Sequence, residues 1–566
     1  MKIFNTIVKN KNEFTFLLLG FIYLITNLFY YIKNTPIFPN GGPQSEHFCE
    51  IFFSSWSASP LLIINKILFY FFSFQHFDLI IIVENFIFFI ITLYFINKIL
   101  ILIKNRDAGF YGMILFSFTP AIYGLSKIYG RGEFQILPFL VISIYLFIKN
   151  KDFYNKKYSL LLAIFLSLGF LIRQTIFIFI LYWPLSFILK IFLNKTKKQN
   201  IFNFILFIST IIFILILFLF KNRLLEFLIL LPFAEKEIIQ LTSIKIITFD
   251  ISTKLLSLPI YILFLLSVLL IKKEERNKII PIILNILFSM FLFFILPHNK
   301  QEIYFVPLIP YIVISISFFF SSYFSNKNLA KILFICISIC LLYQFILLSF
   351  FIEKRNFINL TNNIVFFFDY KSDIFNINYT PFTYKGVHLN ERSKSEYKQL
   401  ALFIKELTKK HNVCILTPAY NFSPYKLLIF LHYYNVNHEK YFIPLRNLLL
   451  SFYKNKDNYL NSTKQLEIEK IDCVLDLSIH EKAKVNLDSF HKLKVENIND
   501  ISKISLYEDK NFEYLFYASV NFLKRYPHIT KDIDLKKDYD ILKQKYSLLF
   551  NDKIFIFEED INNLEV

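Results

Sequence analysis

Glycine is nearly missing from this chain: ten residues in 566, beside 72 Phe. So small a supply leaves little room for helices broken at matching glycines in two halves, the habit of many transporters, and no internal repeat is visible. Cysteine is scarce too, and its five residues are an odd number. Cys49, Cys336, Cys340, Cys414 and Cys473 fit neither a disulfide framework nor the spacing of a zinc site. Cys336 and Cys340, four apart in an apolar run, read as packing residues. No compact basic helix or aromatic–basic motif stands out, so the net charge of +19 does not point to nucleic acid. No small-residue cleavage site follows the first apolar run, "FTFLLLGFIYLITNLFYYI", which is too long and aromatic for a signal peptide and reads as a retained first span.

What the chain has in excess is apolar surface. It is 55% hydrophobic and 19% aromatic, more than a soluble core of this size could hide. Apolar segments near the ~20 residues of a bilayer span recur from about residue 13 to 352. We place spans near 13–32, 78–103, 108–125, 134–149, 158–172, 174–193, 201–220, 255–271, 279–297, 303–323 and 332–352. That predicts a polytopic α-helical membrane protein of about 11 spans. The pair 158–172 and 174–193 is separated only by "IRQT"; one continuous helix there would change the count.

The gaps alternate in charge. Lys2, Lys9 and Lys11 precede the first span. "KNRD" (104–107), "KNKDFYNKK" (149–157), "NKTKKQN" (194–200), "KKEERNK" (272–278) and "SNKNLAK" (325–331) are short and basic. Alternating spans put all of them on one side, which the positive-inside rule makes the cytoplasm. The N-terminus joins them there. Loop 33–77, the turn "KIYGRGEF" (127–134), loop 221–254, the stretch "LPHNKQEIYFVPLIP" (296–310) and everything beyond 352 fall outside. Residues 1–352 thus form the membrane domain and 353–566 an extracytoplasmic one. In the latter, "SEYKQLALFIKELTKKHN" (395–412) has helical periodicity. "VCILTP" (413–418), "IDCVLDLS" (471–478) and "KIFIFEED" (553–560) read as strands, with a helix through 424–435, which predicts an α/β domain.

Three external segments carry candidate chemistry. Glu46 and Glu50 lie one helical turn apart in the first loop, near His47 and Trp56. Lys127, Arg131 and Glu133 sit at the mouth of a span. Arg173 lies between two apolar runs, where a cation must snorkel, pair or bind an anion. The 296–310 stretch adds His298, Lys300 and Glu302. Taken alone, the first loop reads first as a solvated loop, the second turn as a surface ion pair and Arg173 as evenly snorkelling or anion-binding; together they put carboxylates and cations from separate loops on one face of a bundle.

Three patterns resemble the GT-C superfamily of integral-membrane glycosyltransferases, in its protein O-mannosyltransferase-like and aminoarabinose-transferase-like branch. "SEHFCEIFFSSWSASPLL" is similar to the first-loop acidic motif and its "PPL" element, with Glu46 where Asp is usual. "FSFTPAIYGLSKIYGRGEFQILPFLVISIYLFIKN" and "LSLGFLIRQTIFIFILYWP" resemble two later segments, and "HNKQEIYFVPLIPY" resembles a late loop element, with Ile303 where Arg is common. The resemblance spans residues 13 to about 325. It implies a polyprenyl-phosphate sugar donor, a lipid, glycan or protein acceptor in the cell envelope, and a bacterial-type inner membrane. It points to no particular cofactor and leaves a divalent metal open.

By the same resemblance Glu46, or Glu50, is the general base and Glu133 orients the acceptor. Arg131, Arg173 and Lys300 hold the departing phosphate, and His298, Glu302 and Tyr304 line the donor site. The Trp-Trp-Asp-Tyr-Gly element of oligosaccharyltransferases is absent, since Trp56 and Trp183 are the only tryptophans. A lipid-linked polymer ligase, a transporter, and a scaffold with an external binding domain are the competing readings.

Overall fold

The computed structural model describes residues 11–33, 77–126, 132–193, 195–219, 256, 258–295, 302–324, 328–350, 394–416, 427, 430–431, 434–437, 440–442, 473–476 and 554–557. The chain divides into two compact units. Among the described residues the first runs from Lys11 to Phe350 and the second starts at Lys394. The expected boundary at 352 lies outside the described residues.

Among its described residues the first unit contains helices and no strand. Its elements are α1 (Lys11–Lys33), α2 (Phe77–Ile103), α3 (Arg106–Ser117), α4 (Pro120–Leu125), α5 (Gly132–Gln135), α6 (Leu137–Lys149), α7 (Lys156–Ile172), α8 (Tyr182–Phe192), α9 (Lys198–Leu219), α10 (Leu258–Leu269), α11 (Arg276–Ile295), α12 (Ile309–Phe324) and α13 (Asn328–Phe350). Helix thus occupies part of each of the eleven expected spans. Among the described residues four stretches are long and apolar enough to cross a membrane: Lys11–Phe29, Ile82–Ile103, Lys198–Leu217 and Phe305–Tyr323. Shorter apolar helices cover Leu137–Lys149, Tyr182–Phe192, Ile260–Leu269 and Ile332–Tyr343.

Residues 305–322 are buried throughout, and α12 packs against α2, α3, α10, α11 and α13. It is the hub of this unit. The helices around it turn apolar side chains outward. Leu17 and Phe21 on α1, Phe202, Ile205 and Phe213 on α9, and Ile335 and Ile339 on α13 are all more than half exposed. In water such faces would be a liability; against lipid they cost nothing. Inside, hydroxyls satisfy themselves on their own helices: Thr92 donates to Phe88 O, Ser315 to Tyr311 O and Ser317 to Val313 O. Small residues let α3 lie close to its neighbours. A Cβ on Gly112 would run into Leu100 of α2 and sit 3.3 Å from Ser317 Oγ of α12.

Two expected spans are interrupted. The segment 108–125 breaks at Phe118 and Thr119, because Pro120 opens α4 and cannot continue the ladder of α3. The segment 158–193 is not one helix: α7 stops at Ile172 and Arg173 is extended (φ −155°, ψ 120°). A 3₁₀ turn, Gln174–Phe177, then leads toward α8. Gly169 permits the fold-back, since a Cβ there would meet Ile176 and lie 3.1 Å from Phe139 Cβ.

The second unit contains α14 (Lys394–Lys410) and four short strands, β1 (Val413–Leu416), β2 (Tyr441–Phe442), β3 (Cys473–Asp476) and β4 (Ile554–Phe557). They form one parallel sheet in the order β2-β1-β3-β4. β1, β3 and β4 fall inside the segments read as strands; the two-residue β2 was too short to show a pattern. Tyr397, Leu400, Ala401 and Ile404 form the buried stripe of α14, and Tyr397 stacks on Phe430 at 5.8 Å.

Candidate functional site

Irregular backbone meets at one end of the first unit. α5 packs against the 3₁₀ segment Glu302–Leu308, which leads into α12. Proline shapes the backbone on both sides of this contact. Pro138 sits in the first turn of α6, just after α5, and Pro307 interrupts the turn before α12. Neither supplies the N–H that a continuous helix would need there. A third irregular stretch, 173–181, is tied in by backbone acceptors. Phe179 O accepts from Tyr311 Oη at 2.6 Å and from Asn285 Nδ2 at 2.5 Å, and Ile178 O accepts from Ser289 Oγ at 3.0 Å. Tyr311 is fully buried two residues into α12, so it joins the 302–308 approach to the stretch that starts at Arg173. In an apolar bundle, non-helical backbone is tolerated only where protein or a water-filled cavity receives it.

Glu133 lies on α5, while Glu302 and Tyr304 lie on the 302–308 segment; the backbone therefore brings these two groups to adjoining elements. Arg173 is half-buried at the end of α7, six residues before the Phe179 carbonyl that Tyr311 grips. Glu46, Glu50, Arg131, His298 and Lys300 lie outside the described residues. Among the described residues no three His, Cys, Asp or Glu side chains are placed to hold a metal ion.

Sequence reasoning overlooked four side chains here. Glu84 and Asn85, both 3% exposed, lie about 10 Å in from the Phe77 end of α2. Gln135 Nε2 donates to Glu84 Oε1 at 2.9 Å, and Asn85 Nδ2 donates to Ser126 O at 2.5 Å. Asn285 and Tyr311 are the other two. The signal for Glu84 was present, since an acid inside an apolar helix is a functional candidate by default. Attention to the polar loops hid it.

At the other end of α2, roughly 28 Å away along the helix, the basic loops assemble. Lys104 pairs with Glu275, which also accepts from Ser322 Oγ; Lys272 Nζ donates to Ser322 O at 2.8 Å. Lys11 pairs with Asp107 at 2.6 Å, and Asn12 Nδ2 donates to Arg106 O at 2.9 Å. Burial alone would push the Glu275 carboxyl up. The hydrogen bonds from Lys104 and Ser322, with the charges of Lys104 and Lys272, outweigh it and hold the group below the usual carboxylate range. A second group of loops gathers around residues 150–155. Lys190 pairs with Asp152, and Asn203 Nδ2 donates to Phe153 O at 2.9 Å. Asp152 and Phe153 take left-handed backbone (φ 56° each), and Phe153 packs against Phe147, Phe187, Phe204 and Phe207. Segments that the charge pattern assigns to one side of the membrane are thus neighbours.

Comparison with known proteins adds no assignment: no protein-family model matches the chain, and no curated protein matches it either.

Proposed function

We propose that the chain is a multi-pass membrane glycosyltransferase of the GT-C kind. It moves a sugar from a polyprenyl-phosphate donor to an envelope lipid, glycan or protein acceptor on the extracytoplasmic face. The reading includes about eleven spans, a cytoplasmic N-terminus and an extracytoplasmic α/β domain built on the β2-β1-β3-β4 sheet. The observation that carries it is the packing of α5, with Glu133, against the Glu302–Leu308 segment, with Glu302 and Tyr304, at the end of an apolar bundle.

The chemistry follows from the residue types. Glu46, or Glu50, takes the proton of the acceptor hydroxyl or amine. The freed electron pair attacks the anomeric carbon, and the bond from that carbon to the donor's phosphate oxygen breaks. The polyprenyl phosphate leaves with the electron pair of the broken bond. Its developing charge is met by Arg131, Arg173 and Lys300, as fixed cations stabilise a leaving anion. Glu133 orients the acceptor, while His298, Glu302 and Tyr304 line the donor end. A single displacement inverts the anomeric configuration.

The test incubates membranes holding the full chain with labelled polyprenyl-phosphate sugars and extracts the product. Label is expected in an envelope acceptor, and Glu46→Gln is expected to reduce transfer roughly 100-fold or more, the scale of a lost general base. Undiminished transfer by that variant removes Glu46 from the role. The breaks at Thr119 and Arg173 favour one second reading, a transporter. Labelled donor recovered intact on the opposite side of the membrane, with no labelled acceptor, would decide for it.

A further inference from the structure

Two basic loops meet over one aromatic cluster. Residues 149–157 run from the end of α6 into the first turn of α7, and residues 190–198 from the last turn of α8 to the start of α9. Between them the buried Phe153 packs against Phe147 of α6, Phe187 of α8, and Phe204 and Phe207 of α9. Hydrogen bonds fix the frame. Asn203 Nδ2 donates to Phe153 O at 2.9 Å and to Tyr154 O at 3.2 Å, and Asn150 Nδ2 donates to Ser159 Oγ at 2.8 Å. The lysines of both loops therefore share one end of a four-helix group.

Their charge has almost no answer within the chain. Lys149, Lys151, Lys156 and Lys157 of the first loop are exposed, and so are Lys195, Lys197 and Lys198 of the second. From residue 137 to residue 219 the only acid is Asp152, and Lys190 pairs with it. Among the described residues no carboxylate pairs with the others. Helix dipoles give no relief, since Lys156 and Lys157 open α7 and Lys198 opens α9, where the backbone is already partly positive. The other basic end differs: there Lys11 pairs with Asp107 and Lys104 with Glu275.

The counter-charge must come from outside, and the neighbouring side chains indicate its kind. Tyr154, Leu189, Phe192 and Leu193, in and beside the same loops, are between 62% and 79% exposed. A soluble anion or a nucleic acid would leave them in water, whereas lipid covers them at headgroup level. Lys198 also opens the stretch Lys198–Leu217, which is long and apolar enough to cross a membrane. The end of such a helix lies where headgroup phosphates are.

We propose that this end of α6–α9 is a binding surface for anionic lipid, with the lysines on the negative headgroups and Tyr154, Phe192 and Leu193 set into the acyl boundary. The surface needs the membrane reading alone and stands whether or not the chain transfers sugar.

The experiment reconstitutes the full chain carrying Tyr154→Trp into phosphatidylcholine vesicles with a rising share of brominated lipid. Bromine quenches a nearby indole, and the parent chain supplies the background of Trp56 and Trp183. Both leaflets hold the same lipid, so either direction of insertion reads alike. Brominated phosphatidylglycerol is expected to quench at a share roughly tenfold lower than brominated phosphatidylcholine, the scale that one or two engaged lysines supply. Molar salt should weaken that preference. Lys156→Gln, Lys157→Gln, Lys197→Gln and Lys198→Gln together should bring the two lipids within about twofold of each other. Should that variant not fold, Lys197→Gln with Lys198→Gln serves, with a smaller loss of preference. Equal quenching by the two lipids overturns the proposal, as does a preference that survives the substitutions. Loss of the preference on adding millimolar inorganic phosphate at constant ionic strength would mark a soluble-anion site instead. No quenching by either lipid would put residue 154 in water and remove this surface from the membrane.

Discussion

Glu275 has two cations and a hydroxyl aimed at it, and its side chain is only 23% exposed. Its carboxyl lies below the usual range when folded, so the folded state binds that proton less readily than the unfolded one. Its stabilisation is complete above the ordinary glutamate range and is lost as pH falls through the lowered folded value. We expect the thermal midpoint of the detergent-purified protein to fall between about pH 6 and about pH 3, and Glu275→Gln to flatten part of that slope. At neutral pH the same change should cost about 1–3 kcal/mol, since it leaves Lys104 without its charged partner. Thermal unfolding followed by circular dichroism across that pH series checks both. "KKEERNK" and "KNRD" were visible as basic loops, but not that Glu275 would join them. That pairing links residues 171 apart, and no local pattern encodes it.

Helix identity was largely legible because apolar runs of this length have few alternatives. The interruptions were legible in part. Prolines at 120, 138 and 307 mark places where a ladder cannot pass, and each falls at a helix start or inside a 3₁₀ turn. The break at Arg173 carries no proline. It depends on Gly169, whose missing side chain admits Ile176 and Phe139. Gly169→Leu is expected to destabilise the protein by about 1–3 kcal/mol through overpacking, read as a lower thermal midpoint. Gly169→Ala should cost less, because the nearest atom, Ile176 Cδ1, is the end of a side chain that can rotate away.

For the whole molecule the charge pattern and the packing meet on one question, sidedness. The N-terminal segment, the 104–107 loop, the 272–275 turn and the end of α12 are linked by Lys11–Asp107, Lys104–Glu275 and Ser322–Glu275 contacts. A folded end held this way can only sit on one side of a bilayer. Short tags inserted at Asp107, Lys197 and Glu274 are therefore expected to be protected from protease added outside intact cells, while a tag after Val566 is cleaved. Cleavage at Asp107 together with protection at Val566 would invert the orientation; a split among the first three tags would break the alternating-span scheme.

By itself the sequence pointed to a largely helical, apolar-faced chain with basic loops between its helices. A chain with 72 Phe and ten Gly must bury its backbone in helices and its side chains in lipid or each other, and its lysines must stay where water is. Those are consequences of composition and run length, which need no partner. Only the tertiary structure decided that α5 rests on the approach to α12, that Tyr311 holds the stretch after Arg173, and that Glu84 meets Gln135 and Asn85 meets Ser126. The hydrogen bonds among them join positions 41 to 132 residues apart. They exist because a buried polar group must find a partner wherever the packing of apolar faces happens to place one.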